Sequence, residues 1–390
     1  MKVTFNKNEL MNAIIPAMGT VSNKNTLAAV EGILIDTCDN GSCTLSSFDL
    51  DKGMRTSVSA EVDEPGSYII NAGKLNQIVR LMPDGDITIE VDKRNLTKIT
   101  GGRSSFELHA LSGEDFPNLP ELNLEKGIRI RQCDLKRMIA GTFFAIAQND
   151  PRPALNGALL RITENKIAMV SCDGNRLAVK EFECEIDLEN YGDEKPDIQV
   201  IVPGKSLAEL MKLIGDTEDM VTIRPARKHI VFQVSGFLFF TRIIDEKYMD
   251  YERFIPKTSK IFVTLSRPEL IAALERASLV TEDRTMGQTK SVLVCEFTDG
   301  WLKITSTSVT SSVYDEIPAA KEGEDLRIGF NCRYLLDALR ACDTDRLKLS
   351  LTTSLMSMII QPAPDFSDHE TEKEETGNYL YLVNPIKMKE

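Results

Sequence analysis

Several stretches of this chain have residue types that could do chemistry. Gly204-Lys205-Ser206 follows an apolar run and opens an amphipathic one, the setting of a phosphate-binding loop. The full motif needs another glycine five residues before Gly204, where Gln199 stands. Gly73-Lys74-Leu75 occupies the same kind of turn, so a strand-to-helix connection is the better reading. Asp173-Gly174-Asn175-Arg176 begins like a calcium loop but lacks the ligand-spaced acids and the closing Glu. Glu183/Glu185 and Asp49/Asp51 sit at alternate strand positions, as carboxylates on one solvated face do. His109, His229 and His369 are isolated from one another in sequence. Cys38, Cys43, Cys133, Cys172, Cys184, Cys295, Cys332 and Cys342 include no CxxC pair and read as free thiols in a reducing compartment. No nucleophile elbow, zinc-protease helix or kinase set is present. The expectation is a protein with no catalytic residues, metal or cofactor.

The elements that would carry these residues recur three times. Val3-Thr4-Phe5, Ile128-Arg129-Ile130 and Phe262-Val263-Thr264 each lead into a short amphipathic helix, with Asn8, Asp134 and Ser266 as candidate caps. Paired strands follow, turning at Asp39-Asn40-Gly41, Glu164-Asn165 and Thr298-Asp299-Gly300. A second helix then follows a strand in each copy, around Leu75, Leu207 and Leu335. Those leucines lie 132 and 128 residues apart. One third of 390 is 130, so the chain reads as three copies of one domain, at 1–125, 126–256 and 257–390. Two short helices per copy must cover one face of a larger antiparallel sheet, which predicts an α+β fold. The six helices are expected at 8–18, 73–82, 133–148, 205–215, 267–280 and 333–343.

The net charge of −13 excludes a surface that is uniformly sticky to nucleic acid. It divides as −7, −1 and −5 over the three copies, whereas the six expected helices together carry +3. Basic helices on an acidic body suit a protein that meets phosphate on one face only, and equally a protein whose solvated helix faces are rich in lysine. The polar residues within MKVTFNKNEL interrupt any leader-like apolar run, and no stretch approaches a membrane span. A cytoplasmic location with no membrane partner is expected.

Arg152-Pro153-Ala154-Leu155-Asn156-Gly157, Cys172-Asp173-Gly174-Asn175-Arg176-Leu177-Ala178, Asp115-Phe116-Pro117-Asn118-Leu119, Tyr334-Leu335-Leu336-Asp337-Ala338-Leu339 and Tyr381-Leu382-Val383-Asn384-Pro385 are similar, in order and spacing, to the bacterial DNA sliding clamp family, the beta subunit of DNA polymerase III. The resemblance covers essentially the whole chain. It implies three clamp domains per protomer and a homodimeric ring around duplex DNA. It also implies a processivity factor that tethers the DNA polymerase III catalytic subunit and is opened by a separate clamp loader. Other polymerases and repair proteins would dock short peptides in a cleft formed by Leu155, Cys172, Gly174, Asn175, Arg176, Leu177, Met249, Arg253, Phe254, Asn331, Tyr334, Ser357, Leu382, Asn384, Pro385 and Ile386. For Leu155 and Leu177, core packing is the competing role.

DNA-facing candidates are Lys24, Lys74, Arg80, Lys136, Arg137, Gln148, Asn149, Arg152, Lys205 and Lys212. Such contacts would reach phosphates and carry no sequence information. The resemblance puts the ring joint between the first domain of one protomer and the third of the next. The candidates there are Phe106 and Leu108 on one strand face and Leu279 and Val280 at a helix end. Two departures stand out: the family tail commonly reads Met-Pro-Met-Arg where this chain has Asn384-Pro385-Ile386-Lys387, and 362–378 reads as an acidic insertion. The rival readings are a peptide-binding scaffold of the same fold that does not encircle DNA, and an enzyme with a divergent site.

Overall fold

The computed structural model describes residues 1–22, 27–38, 41–122, 124–183, 186–192, 194–281, 292–363 and 378–388. Six α-helices are present: α1 (Lys7–Ala17), α2 (Ala72–Leu81), α3 (Gln132–Phe143), α4 (Gly204–Leu213), α5 (Arg267–Thr281) and α6 (Cys332–Ala341). Asparagine caps recur. Asn6 accepts from the backbone N–H of Asn8 and Glu9, Asn71 from that of Lys74, and Asn331 from that of Arg333. The first cap is therefore Asn6 rather than Asn8. Each cap satisfies an otherwise orphaned donor in the first helical turn.

α3 stops at Phe143, short of the expected 148. The Thr142 carbonyl is taken by the Ser171 hydroxyl at 2.5 Å, and the Ala147 N–H turns away to Leu155 O at 2.9 Å. The last turn tightens, with the Ala145 and Ile146 N–H groups donating to Thr142 O and Phe143 O at 3.1 and 3.2 Å, and the Ala147 N–H that would extend the helix is spent on another segment.

The chain forms two compact units. The first comprises 1–136, 186–194 and 205–243, and the second 137–185, 195–204 and 244–390. The central sequence repeat therefore contributes to both. In the first unit, Leu10 and Ile14 of α1 and Leu75 and Val79 of α2 pack on Val3, Phe5, Ile87, Ile89 and Ile99. In the second, Leu270 and Leu274 of α5 and Leu335 and Leu339 of α6 pack on Val263, Leu265, Ile304 and Leu349. The i, i+4 leucines share a helix face, and each fully buried one contributes about 1.5–3 kcal/mol.

All strand pairing is antiparallel, and sheets run on from one repeat into the next. The first unit holds a five-stranded and a ten-stranded sheet, the second a twelve-stranded sheet. In the ten-stranded sheet, Lys52–Ser59 pairs with Phe237–Arg242, so that Met54 faces Phe239. In the twelve-stranded sheet, Arg176–Glu183 pairs with Asn378–Val383, so that Ala178 faces Tyr381.

The register also shows which positions are equivalent among the repeats. Val3, Ile128 and Val263 pair with Ile89, Ile223 and Leu349. Those pair with Ile99, Phe232 and Ile360. The last partners are Phe106, Phe239 and Tyr381. One aromatic position thus ends the same strand series three times. On the facing strand, the turns Asp49–Lys52, Asp173–Arg176 and Ser308–Ser311 close with the same N–H to carbonyl bond. That aligns Met54, Ala178 and Val313. Phe239 and Tyr381 are fully buried, whereas Phe106, on the edge strand Ser104–His109 that is paired on one side only, is 44% exposed.

Candidate functional site

Gly204, the decoy phosphate loop, opens α4 against close neighbours: a Cβ there would lie 2.8 Å from Ile146. Ser206 is buried, with its hydroxyl 2.7 Å from Thr241 Oγ1. The segment is a packed turn. Among the described residues, no group of three or more His, Cys, Asp or Glu could hold a metal ion.

The turn at Asp173 is an arginine mount. The Asp173 carboxylate accepts from the backbone N–H of Asn175 at 2.8 Å and of Arg176 at 2.7 Å. Gly174 takes the left-handed conformation this requires, with φ +87°. The Arg176 guanidinium donates to Asp173 Oδ2 at 3.0 Å and to Asp337 of α6 at 2.7 Å. It also lies over the Tyr334 ring at 4.4 Å and near the Phe144 ring at 5.5 Å. A planar cation held by two carboxylates and two rings has one orientation, which lysine could not copy.

A cleft of about 220 Å³ opens on one side of this turn. Of the expected docking residues, Cys172, Gly174, Asn175, Arg176, Leu177, Met249, Phe254, Ser357, Leu382 and Asn384 line it together. Leu177 and Leu382 are direct partners across the strand pair. Phe254 is 62% exposed at the rim. Burial pushes the Cys172 thiol up, and the Gly174 N–H on its sulfur opposes this only in part. A wider, more polar cavity of about 590 Å³ lies beyond the turn, lined by Asn331 and Tyr334 together with Phe143, Phe144, Gln148, Asp150, Arg333 and Asp337. Asn175 and Arg176 line both.

Some expected docking residues lie elsewhere. Leu155 is buried in the cluster beneath the cleft, so its packing role prevails. Arg253 points to Asp250 at 2.6 Å. Pro385 and Ile386 line neither cavity, and Ile386 instead bridges to Gly329.

Arg152, expected on DNA, lines the cleft and is held two-pronged by Asp150 at 2.9 and 3.0 Å. That guanidinium, with the Arg152 backbone N–H, lowers the Asp150 pKa to about 2. Sequence reading missed Asp150, two residues before the motif that opens at Arg152, and Asp337, which lies within Tyr334-Leu335-Leu336-Asp337-Ala338-Leu339.

Of the other cations, Lys212 is engaged by Glu209 at 2.8 Å. Lys74 and Arg80 of α2, Arg137 of α3 and Lys205 of α4 are exposed, and Lys136 of α3 is half-buried. None of these five has an ion-pair partner among the described residues. With the observed limits the six helices carry +5, leaving −18 for the rest of the chain. Gln148 and Asn149 are exposed on the loop after α3. Lys24, Asp39, Asn40, Glu185 and residues 364–377 of the acidic insertion lie outside the described residues.

The expected joint residues fall into two classes. Phe106 and Leu279 are 44% and 78% exposed, whereas Leu108 and Val280 are 9% and 8% exposed and belong to the interior. Neighbours on a helix, such as Leu279 and Val280, point to different faces. On the edge strand, Leu108 is the residue that packs into the core.

Comparison with known proteins accounts for this architecture. Family models described as the N-terminal, central and C-terminal domains of the DNA polymerase III beta subunit match residues 1–120, 129–250 and 252–373. A beta sliding clamp of Pseudomonas putida is 33% identical over 366 residues, 93% of this chain and 96% of that protein. The DNA polymerase sliding clamp of Bacillus subtilis superposes with a TM-score of 0.90 at 27% identity, over the full length of both chains. The Pseudomonas aeruginosa sliding clamp, solved bound to griselimycin, superposes at 0.87 with 28% identity, again over the full length of both. The chain belongs to the DNA polymerase III beta subunit family, the DNA sliding clamps, and serves as a non-catalytic processivity factor in DNA replication.

Proposed function

We propose that two copies of this chain close into a ring around duplex DNA and hold the DNA polymerase III catalytic subunit on its template. The clamp loader, other polymerases and repair proteins take turns in the cleft that Leu177 and Leu382 line. In the cell this work belongs in the cytoplasm, at the nucleoid. The domain limits 1–125, 126–256 and 257–390 describe the three repeats of each protomer.

One observation carries the ring. Phe106, Phe239 and Tyr381 hold one repeat position, and only Phe106, whose strand lacks a second neighbour, is exposed. Its missing neighbour is the equivalent of the strands that cover Phe239 and Tyr381, namely Ser312–Glu322 of a second copy. Carrying the register over sets Phe106 opposite Val313. Leu279 stands where Phe144 stands in the central repeat, and Phe144 packs edge-on against Tyr381 at 5.1 Å. By the same equivalence Leu279 caps the partner's Phe106. A head-to-tail contact of this kind, made twice, closes a dimer.

The phosphate-facing set is then Lys74, Arg80, Lys136, Arg137 and Lys205, with Gln148 and Asn149 as polar neighbours. Contacts of this kind are sequence-blind and weaken with salt. The clamp is loaded by its loader onto nicked circular DNA, and half the sample is linearised. Retention on circles with loss from linear DNA supports the ring; equal retention on both overturns it. For the joint, Phe106→Cys with Val313→Cys cross-links two protomers through a disulfide, whereas Phe106→Cys with Tyr314→Cys, one residue out of register, does not.

A further inference from the structure

We propose that Asn384 is a positioning residue that fixes the width of the docking cleft, and with it the choice of partner. The inference rests on the cleft reading above. Three segments that line the cleft meet at this one side chain. Asn384 Nδ2 donates to Gly174 O at 3.1 Å, and Asn384 Oδ1 accepts from the Ser357 hydroxyl at 2.6 Å. Its backbone N–H donates to Asn175 O at 2.9 Å. A backbone carbonyl can only accept, so the bond to Gly174 settles which end of the amide is nitrogen.

The clasp joins the Asp173–Arg176 turn, the end of the loop before Met358–Pro362 and the end of the last strand, Asn378–Val383. Gly174, Ser357 and Asn384 all face the cleft. Asparagine makes this wall more polar than the family's methionine would. The geometry shows that two of its polar valences are already used within the wall. A methionine here could make neither bond and would let the wall adapt to varied partners.

Leu355 and Met356, 71% and 41% exposed, precede Ser357, so the clasp also anchors an apolar loop at the cleft mouth. A cleft held in this way loses less side-chain freedom when a ligand enters. It also tolerates less variation in the size of the inserted apolar side chain.

The test uses the full-length clamp with griselimycin, which the Pseudomonas aeruginosa clamp binds and which this proposal assigns to the cleft, as the probe. Griselimycin affinity and amide hydrogen exchange are measured for wild type, S357A, N384A, the double variant and N384D. Asn384 is exposed, so N384A should melt within a few degrees of wild type, which separates a cleft effect from unfolding. N384A is expected to bind about tenfold more weakly, as loss of a preorganised contact set does. Its free form should exchange faster over 173–176 and 353–358. S357A should weaken binding less, and the double variant should match N384A alone, because Ser357 acts through Asn384. N384D, which keeps the acceptor for Ser357 but loses the donor to Gly174, should fall between wild type and N384A.

Wild-type affinity in N384A, multiplying effects of the two substitutions, or unchanged exchange in the free protein would each overturn the clasp. L177A tests the cleft reading separately. Undiminished griselimycin binding in that variant refutes the cleft, while the exchange of the free protein still decides the clasp.

Discussion

Replacing Phe106 with Asp separates a joint residue from a core residue in one experiment. Phe106 is 44% exposed on the edge strand. Phenylalanine offers roughly 200 Å² to burial, so about 90 Å² is left for a partner to cover. At about 25 cal/mol per Å² that is about 2 kcal/mol per joint, and a ring of two protomers has two joints. Loss of about 4 kcal/mol raises the dimer dissociation constant about a thousandfold, before the cost of crowding a carboxylate against Val313 of the partner. Sedimentation velocity over a range of protein concentrations should show folded monomer for Phe106→Asp where wild type is dimer. Its thermal midpoint in isolation should stay close to that of wild-type monomer. Leu108→Asp is the contrasting arm. Leu108 is 9% exposed in the main cluster of its unit, so a charge there has no compensating partner. That variant should lose its fold as well as its partner. An undiminished Phe106→Asp dimer refutes the assigned joint, and an unfolded Phe106→Asp refutes the claim that the residue is spare surface.

The cleft and the helices give further tests. Tyr334→Ala strips one ring from the Arg176 guanidinium, and Leu177→Ala removes the apolar floor of the cleft. Either should cut polymerase-peptide affinity at least tenfold by calorimetry while the dimer sediments unchanged. Burial raises the Cys172 thiol, so its thiolate fraction at pH 7 is below that of free cysteine. Alkylation by iodoacetamide, followed by mass spectrometry, should be slow at pH 7 and accelerate as the pH rises above 9. A polymerase peptide seated in the cleft should block it, and labelling at the rate of free cysteine at pH 7 would contradict the geometry. Lys136→Glu with Arg137→Glu puts acid on α3 at two cations that have no ion-pair partner among the described residues. Binding to short duplexes should weaken for every sequence alike, with the slope of log affinity against log salt reduced by about two. A sequence-dependent loss would argue against phosphate contact.

What the sequence made legible was whatever repeats. Helices at a period of about 130 residues, their buried leucines and the asparagine caps follow from local pattern, and five of the six helices end within about two residues of expectation. The exception, α3, ends where Ser171 takes its carbonyl, a contact between residues 29 apart that no local pattern contains. The same limit explains the sites. Arg152 reads as a free cation in sequence, yet Asp150 two residues earlier takes it up and turns it to the cleft. Leu108 and Phe106 share a strand face by alternation, but alternation cannot say how far along the strand the core extends.

Triplication supplies what local pattern lacks. Two copies of a position show how the third is finished: Phe239 and Tyr381 are covered by strands of this chain, and Phe106 is left uncovered by the same chain. The proposed joint sets a second protomer where two equivalents are fully buried and the third is not, and that argument needs only the register and the exposures.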